Sequence, residues 1–274
     1  MYFISRVPRM GRPPCRLDID SDCALRRIAT IFFTEPIYLE IFICSHTLGW
    51  GMGKISSGAR FVDEFLQGGY DTDIITTIYG PSGSGKTNFC LLAAVEVASS
   101  GKKVIIIDTE GGIAVERIKQ LGGEKVLNEI LFFNPLNFNE QKEVFATLAE
   151  MVNVNIGLIV VDSISMLYRL ELGQSEDVFD VNSALGRQIA CLVEIARKRK
   201  IPVLITNQVY ADFNNQNNVK MVGGDLLKYG SKCLIELMNF SSCRGLTLRK
   251  HRHLPEGLEL KFRIVQKGIE EAEG

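Results

Sequence analysis

The sequence predicts an α/β fold: a mostly parallel central sheet with helices on both faces, extended at its C-terminal end by antiparallel strands. Three observations carry this. From Met52 onward, short apolar runs rich in β-branched residues alternate with helix-length segments, the rhythm of a parallel sheet covered on both sides. One strand-to-helix junction holds the glycine-rich stretch GPSGSGKT, residues 80–87. The last apolar runs, KCLIELM, GLTLRK and LELKFRIV, succeed one another with no helical segment between them, as antiparallel strands do.

The elements follow in order. ISSGARFVDEFLQGG reads as a short amphipathic segment closed by a Gly-Gly turn, and IITTIY (74–79) as the strand after it. Residues 86–99 form a helix that is apolar on nearly every side, hence buried. VIIID (104–108) and ILFF (130–133) are strands, and a helix covers about 139–152. GLIVVD (157–162) is a strand, roughly 180–199 a helix and PVLITN (202–207) a strand. In the final run Leu258, Leu260, Phe262 and Ile264 alternate with Glu259, Lys261 and Arg263, the period of a half-solvated strand.

Residues 1–51 are an atypical N-terminal extension, and residues 52–274 are the core. Two readings of the extension stand: a mis-called start or weakly ordered segment with Met52 as the natural beginning, or an accessory segment packing Ile31 to Trp50 on the core. A net charge of −1 gives no global basic field, so nucleic-acid contact would need a local patch. Seven cysteines, an odd number with no CxxC pair, read as reduced thiols of a cytoplasmic protein. The three histidines lack zinc-ligand spacing along the chain. The longest apolar stretch is broken by Glu35, Pro36 and Glu40, so no membrane span is expected.

Strand, then G-x-x-x-x-G-K-T, then helix is the context of a triphosphate-binding loop. Gly80, Pro81, Ser82, Gly83, Ser84, Gly85, Lys86, Thr87 and Asn88 are its candidate nucleotide contacts. Backbone N–H groups converge on phosphates, Lys86 brings a point charge and Thr87 a hydroxyl for magnesium. Asp162, closing an apolar strand, suits the same metal. Hydrolysis needs a carboxylate to polarise water, and IIIDTEGG places Asp108 and Glu110 beyond a buried strand. Gln208, in ITNQV, could report the γ-phosphate. Each of these has a bland alternative, a capping or solvated loop residue.

Taken together and in order, GPSGSGKT, IDTEGG…ER, LIVVDS and ITNQV resemble the ATPase core of the RecA/RadA recombinase family. ISSGARFVDEFLQGG, GGDLLKYGSKCLIEL and LRKHRHLPEGLELKFRI are similar to its archaeal RadB branch. The resemblance covers nearly everything from Met52 on. It implies a RecA-like P-loop core, ATP and Mg2+ as cofactors, and a role in recombination and repair. It assigns phosphate and metal binding to Lys86, Thr87 and Asp162, and water polarisation to Glu110. It makes Gln208 the link from nucleotide to the DNA loop, and Arg117 an adenine-stacking residue.

The departures set the expected partners. The counterpart of the first DNA loop, RLELGQSEDVFDVNSALGRQ, carries Glu171, Glu176, Asp177 and Asp180, which repel a phosphodiester unless Arg169 and Arg187 face it. The second, YADFNNQNNVKMVGG, is Asn-rich; Tyr210 and Phe213 could stack on bases and Lys220 could reach a phosphate. Positive charge gathers instead in RGLTLRKHRHLPEG, at Arg244, Arg249, Lys250 and Arg252 with His251 and His253. If this segment is extended, Lys250 and Arg252 share a face and Arg249 takes the other. It could touch DNA, reach a neighbour's nucleotide, or be a solvated strand end. No Phe-x-x-Ala hook precedes the core, so a homodimer or a complex with a RadA-type recombinase is expected over a filament. The resulting expectation is a weak ATPase that binds DNA, single-stranded DNA foremost, and modulates the main recombinase. The alternatives are an autonomous strand-exchange ATPase and a KaiC-like signalling ATPase that does not bind DNA.

Overall fold

The computed structural model describes residues 53–211 and 219–272. The extension 1–51 and residues 212–218 of the Asn-rich loop, Phe213 among them, lie outside the described residues. A small hairpin of β1 (Lys54–Ile55) and β2 (Tyr70–Asp71) flanks helix α1 (Arg60–Phe65). Then come β3 (Ile75–Gly80), α2 (Lys86–Ser99), β4 (Lys103–Asp108), α3 (Val115–Gly122), a 3-10 turn (Lys125–Glu129) and β5 (Ile130–Phe133). They are followed by α4 (Phe138–Met151), β6 (Ile156–Asp162), α5 (Met166–Gln174), α6 (Val178–Arg199), β7 (Val203–Ala211) and β8 (Val219–Met221). The chain continues through α7 (Gly224–Gly230), β9 (Cys233–Asn239), β10 (Arg244–Lys250), β11 (Glu259–Val265) and β12 (Gly268–Glu271).

The main sheet runs β12-β11-β10-β9-β3-β7-β6-β4-β5, with β8 paired to the end of β7. The strands from β9 to β5 are parallel; β10, β11 and β12 are antiparallel. Alternation along each parallel strand explains why the apolar runs are continuous. On β4, Ile106 packs into one core with Phe89, Ala93 and Leu158, while Ile105 and Ile107 pack into the other with Phe145, Leu185 and Leu192. One face is covered by α2 and α3, the other by α4, α5 and α6. Helix α2 has apolar residues on nearly every side and is buried along most of its length. Phe89 meets Phe262 of β11 edge-on at 5.1 Å, which fastens the antiparallel extension to the phosphate-loop helix.

Several elements differ from the sequence reading. The strand expected at 202–207 runs on to Ala211 and turns back through β8, because β3 and then β8 supply its hydrogen-bond partners in turn. The acidic stretch read as a loop is mostly helical, with α5 and α6 separated by Ser175 and the residues around Asp177. The Asp177 side chain caps α6 by accepting from the Asp180 N–H at 2.9 Å. Its negative charge is thus partly engaged by a helix N-terminus.

Candidate nucleotide and magnesium site

The register of the parallel strands assembles the site. Gly80 at the end of β3 lies opposite Gln208 on β7, and Asp108 at the end of β4 lies opposite Asp162 on β6. In the order β4-β6-β7-β3 these are adjacent strands, so the residues meet at one carboxyl edge, where ligands bind in open α/β sheets.

The loop from Gly80 to Gly85 turns from β3 into α2. Gly85 holds φ +103°, a left-handed conformation that glycine adopts without strain. At Gly80 a Cβ would lie 2.3 Å from the Leu237 carbonyl oxygen, so only glycine lets β9 pass this closely. Lys86 folds back over the loop and donates from Nζ to the carbonyls of Gly80 (3.0 Å) and Pro81 (2.9 Å). Burial lowers its pKa, and the carboxylates of Glu110 and Asp162 act in the opposite sense. Two residues brace the loop from outside: Asn239, which the sequence reading passed over, and Arg244, which it placed only in the basic patch. Asn239 donates to the Ser82 carbonyl at 3.2 Å, and Arg244 Nε donates to the Gly83 carbonyl at 3.0 Å. They come from the ends of β9 and β10, and no local pattern links those to residues 82 and 83.

Thr87 Oγ1 donates to Asp162 Oδ2 at 2.7 Å, and Thr206 donates to the other carboxylate oxygen. The two expected metal oxygens are therefore neighbours. Asp162 is buried, which raises its pKa against the lowering effect of the two hydroxyls. A dication reverses that penalty, so the donor set fits magnesium. A carboxyl whose folded pKa exceeds its unfolded value near 3.8 takes up a proton on folding in that window, so the metal-free protein loses stability as pH rises through it. The Asp162→Asn variant is accordingly expected to be at least as stable as the parent at pH 7 without metal. It should also lack the rise in unfolding midpoint that magnesium and ATP give the parent. Thermal unfolding with and without the two additions checks this.

Asp108 does not face the site as a free carboxylate. It accepts the backbone N–H groups of Glu110 (3.0 Å), Gly111 (2.8 Å) and Ile113 (3.1 Å), and so shapes the loop that presents Glu110. Glu110 Oε1 accepts from Gln208 Nε2 at 2.9 Å, across 98 residues of sequence. The two residues singled out separately in the sequence thus touch. Thr109 adds a further tie: its hydroxyl donates to the Ser163 carbonyl at 2.6 Å.

Arg117 lies on α3 against the second residue of α2 beyond Lys86. It donates to Asn88 Oδ1 from Nε (3.1 Å) and Nη2 (2.9 Å), and to the Val265 and Gln266 carbonyls at 3.0 and 2.8 Å. Asn88 therefore serves as an acceptor for Arg117. Stacking on adenine would use the flat face of a guanidinium whose edge is already held.

The basic segment departs from its expected geometry. A bulge shifts the β9–β10 register between Leu248 and Lys250, and β10 ends at Lys250. Lys250 and Arg252 are therefore not successive positions on one strand face. Because β10 runs antiparallel to β9, its end lies at the edge of the sheet away from the phosphate loop. Arg249 pairs with the mostly buried Glu236 through Nε. Lys250 Nζ donates to the Lys228 (2.6 Å) and Ser231 (2.9 Å) carbonyls, and Arg252 Nη2 donates to Asp73 Oδ1 at 3.0 Å. Tyr210 and Lys220 face each other in the β7–β8 pairing; their side chains lie outside the described residues. Arg187 sits 3.8 Å from Asp180 on α6.

A phosphate loop leading into a buried helix, an Asp at the next-but-one strand end, and a mixed sheet closed by antiparallel strands define the Rad51/RecA-like class. The Rad51 family model matches residues 51–272. A DNA repair and recombination protein RadB of Methanococcus maripaludis (strain C7) is 45% identical over 213 residues, covering 76% of this chain and 97% of that protein. The RadB of Methanocaldococcus jannaschii is 41% identical over 211 residues, covering 76% and 97%. A crystal structure of the RadB recombinase superposes with TM-score 0.70 at 37% identity, covering 80% of this chain and all of that one. The chain belongs to the Rad51 family and, within it, to the RadB DNA repair and recombination proteins.

Proposed function

We propose that the chain binds ATP with magnesium, hydrolyses it weakly, and uses the nucleotide state to tune contacts with DNA and a RadA-type recombinase during homologous recombination. The observation that carries this is the Gln208–Glu110 hydrogen bond. It joins the candidate water-polarising carboxylate to β7, whose far end leads through the Asn-rich loop into β8. When bound, magnesium ATP supplies the anhydride to be cleaved and a Lewis acid on its phosphate oxygens. Thr87 and Asp162 would hold the metal, and Lys86 would leave the two loop carbonyls for the phosphates. Glu110 would orient water, and a shift of its carboxylate would pull on Gln208. Asn207, next to Gln208, donates to the Val222 carbonyl at 2.9 Å and contacts the Ser165 hydroxyl. Movement of β7 is thereby passed to both flanking segments. The expected setting is the cytoplasm; among the described residues no helix is long and apolar enough to cross a membrane.

The test is fluorescence anisotropy with labelled single-stranded DNA, with and without ATP, over a salt series. Binding is expected to change with nucleotide. Arg252 is partly exposed and its Nη2 pairs with the partly exposed Asp73, whereas Arg249 is held by the buried Glu236 and Lys250 by two backbone carbonyls, so Arg252 is the basic candidate chosen to probe contact with phosphate. Arg252→Ala should lower the slope of log K against log salt by about 0.7. No binding at low salt in either nucleotide state would overturn the DNA assignment and favour a signalling ATPase.

A further inference from the structure

At the edge of the sheet opposite the phosphate loop, Asp71, His251 and His253 each bring a ligand atom within 4.8 Å of the others. Asp71 closes β2 and is only 6% exposed. Its Oδ1 lies 3.3 Å from Lys54 Nζ, while its Oδ2 is buried with no hydrogen-bond partner among the described residues. A buried carboxylate oxygen left unpaired is costly, and its surroundings point to what is missing. His251 Nε2 is 3.7 Å from Oδ2, too far for a hydrogen bond. Two ligands about 2.1 Å from a tetrahedral zinc ion stand about 3.4 Å apart, close to that separation. The His251 and His253 rings meet edge to face at 4.5 Å, and His253 is exposed, which leaves an entry path.

We propose that Asp71, His251 and His253 form a three-ligand site for a borderline divalent cation of the zinc type. Imidazole nitrogen and carboxylate oxygen suit zinc, and three protein ligands leave a position for water. Lys54 is engaged with the other carboxylate oxygen. Arg252 turns its outer nitrogen to Asp73 at 3.0 Å, so the nearest guanidinium atom stands 3.9 Å from Oδ2. Loading has an identifiable cost. His251 Nδ1 accepts the backbone N–H groups of His253 (3.4 Å) and Leu254 (3.3 Å), both long. Ligation through Nε2 moves the ring proton to Nδ1 and gives up these two contacts. The ion would pin the turn between β10 and β11 to the β1–β2 hairpin and fix the backbone that carries Arg252.

The experiment uses the full chain, stripped with chelator and free of nucleotide. Zinc is titrated by calorimetry, and cobalt(II) is added in parallel as a visible probe. One equivalent is expected to bind, giving tetrahedral cobalt bands without the near-ultraviolet sulfur transition that the cysteines would produce. His253→Ala should weaken binding at least roughly tenfold and abolish the zinc-induced rise in unfolding midpoint, with its metal-free midpoint unchanged. Asp71→Asn should weaken binding similarly. His253 is exposed, so its variant decides the matter even if Asp71→Asn does not fold. No uptake by the parent, a sulfur-ligated cobalt spectrum, or equal binding by His253→Ala would each overturn the proposal.

Discussion

Replacing Glu110 by Gln should lower ATP turnover by about a hundredfold or more while leaving ATP binding nearly unchanged. The substitution keeps the side chain's size, and the loop that positions it does not depend on the carboxylate. Asp108 holds that loop through the N–H groups of residues 110, 111 and 113. Gln208 donates to Glu110 Oε1, and in the variant the amide oxygen of the new side chain accepts the same bond. What is lost is the negative charge proposed to polarise water. The measurement is steady-state turnover of parent and variant, alone and with DNA and the cognate recombinase. Equal turnover in every condition would remove Glu110 from the chemistry and leave it as a structural partner of Gln208.

Lys86→Met is expected to have the next largest effect, on binding. Lys86 is 8% exposed, its stem packed at the start of α2 and its amine on the Gly80 and Pro81 carbonyls. Methionine keeps most of that stem, so the fold should survive with a modest change in midpoint. The missing ammonium removes a charge-assisted bond to phosphate, contributing about 1.5–3 kcal/mol, or roughly ten- to a hundredfold in Kd. Calorimetry with magnesium ATP reads it directly. An unchanged Kd would mean that the loop does not close on a triphosphate.

The two variants separate the halves of the site. Lys86 is expected to act on binding through a local motif; Glu110 is expected to act on turnover through its charge, on a loop that also meets Gln208 across the sheet edge. A protein in which both substitutions affected binding alone would be a nucleotide-gated binder with no hydrolytic cycle.

What could be read from the chain follows the range of the interaction. The parallel strands announced themselves because both faces of each are buried, which forces continuous apolar runs such as VIIID and LIVVD. The phosphate loop was legible because strand, glycines, lysine and helix occupy one stretch. Helices α3, α5 and α7 were not, since they are short and only tertiary packing holds them. The partners of the basic segment were illegible for a related reason. Its charges are local in sequence, but their partners Glu236, Asp73, Lys228 and Ser231 come from elsewhere.

By itself the sequence determined the sheet class, the order of the chemistry-bearing strand ends along the chain, and the identity of Lys86, Thr87, Asp162, Glu110 and Gln208 as the residues to watch. Only the tertiary structure decided that Glu110 and Gln208 touch, that Asn239 and Arg244 brace the phosphate loop, and that Asp71 stands beside two histidines some 180 residues away. Backbone propensity and hydrophobic period act over a few residues, whereas these contacts depend on strand register and on the order in which distant strands pair.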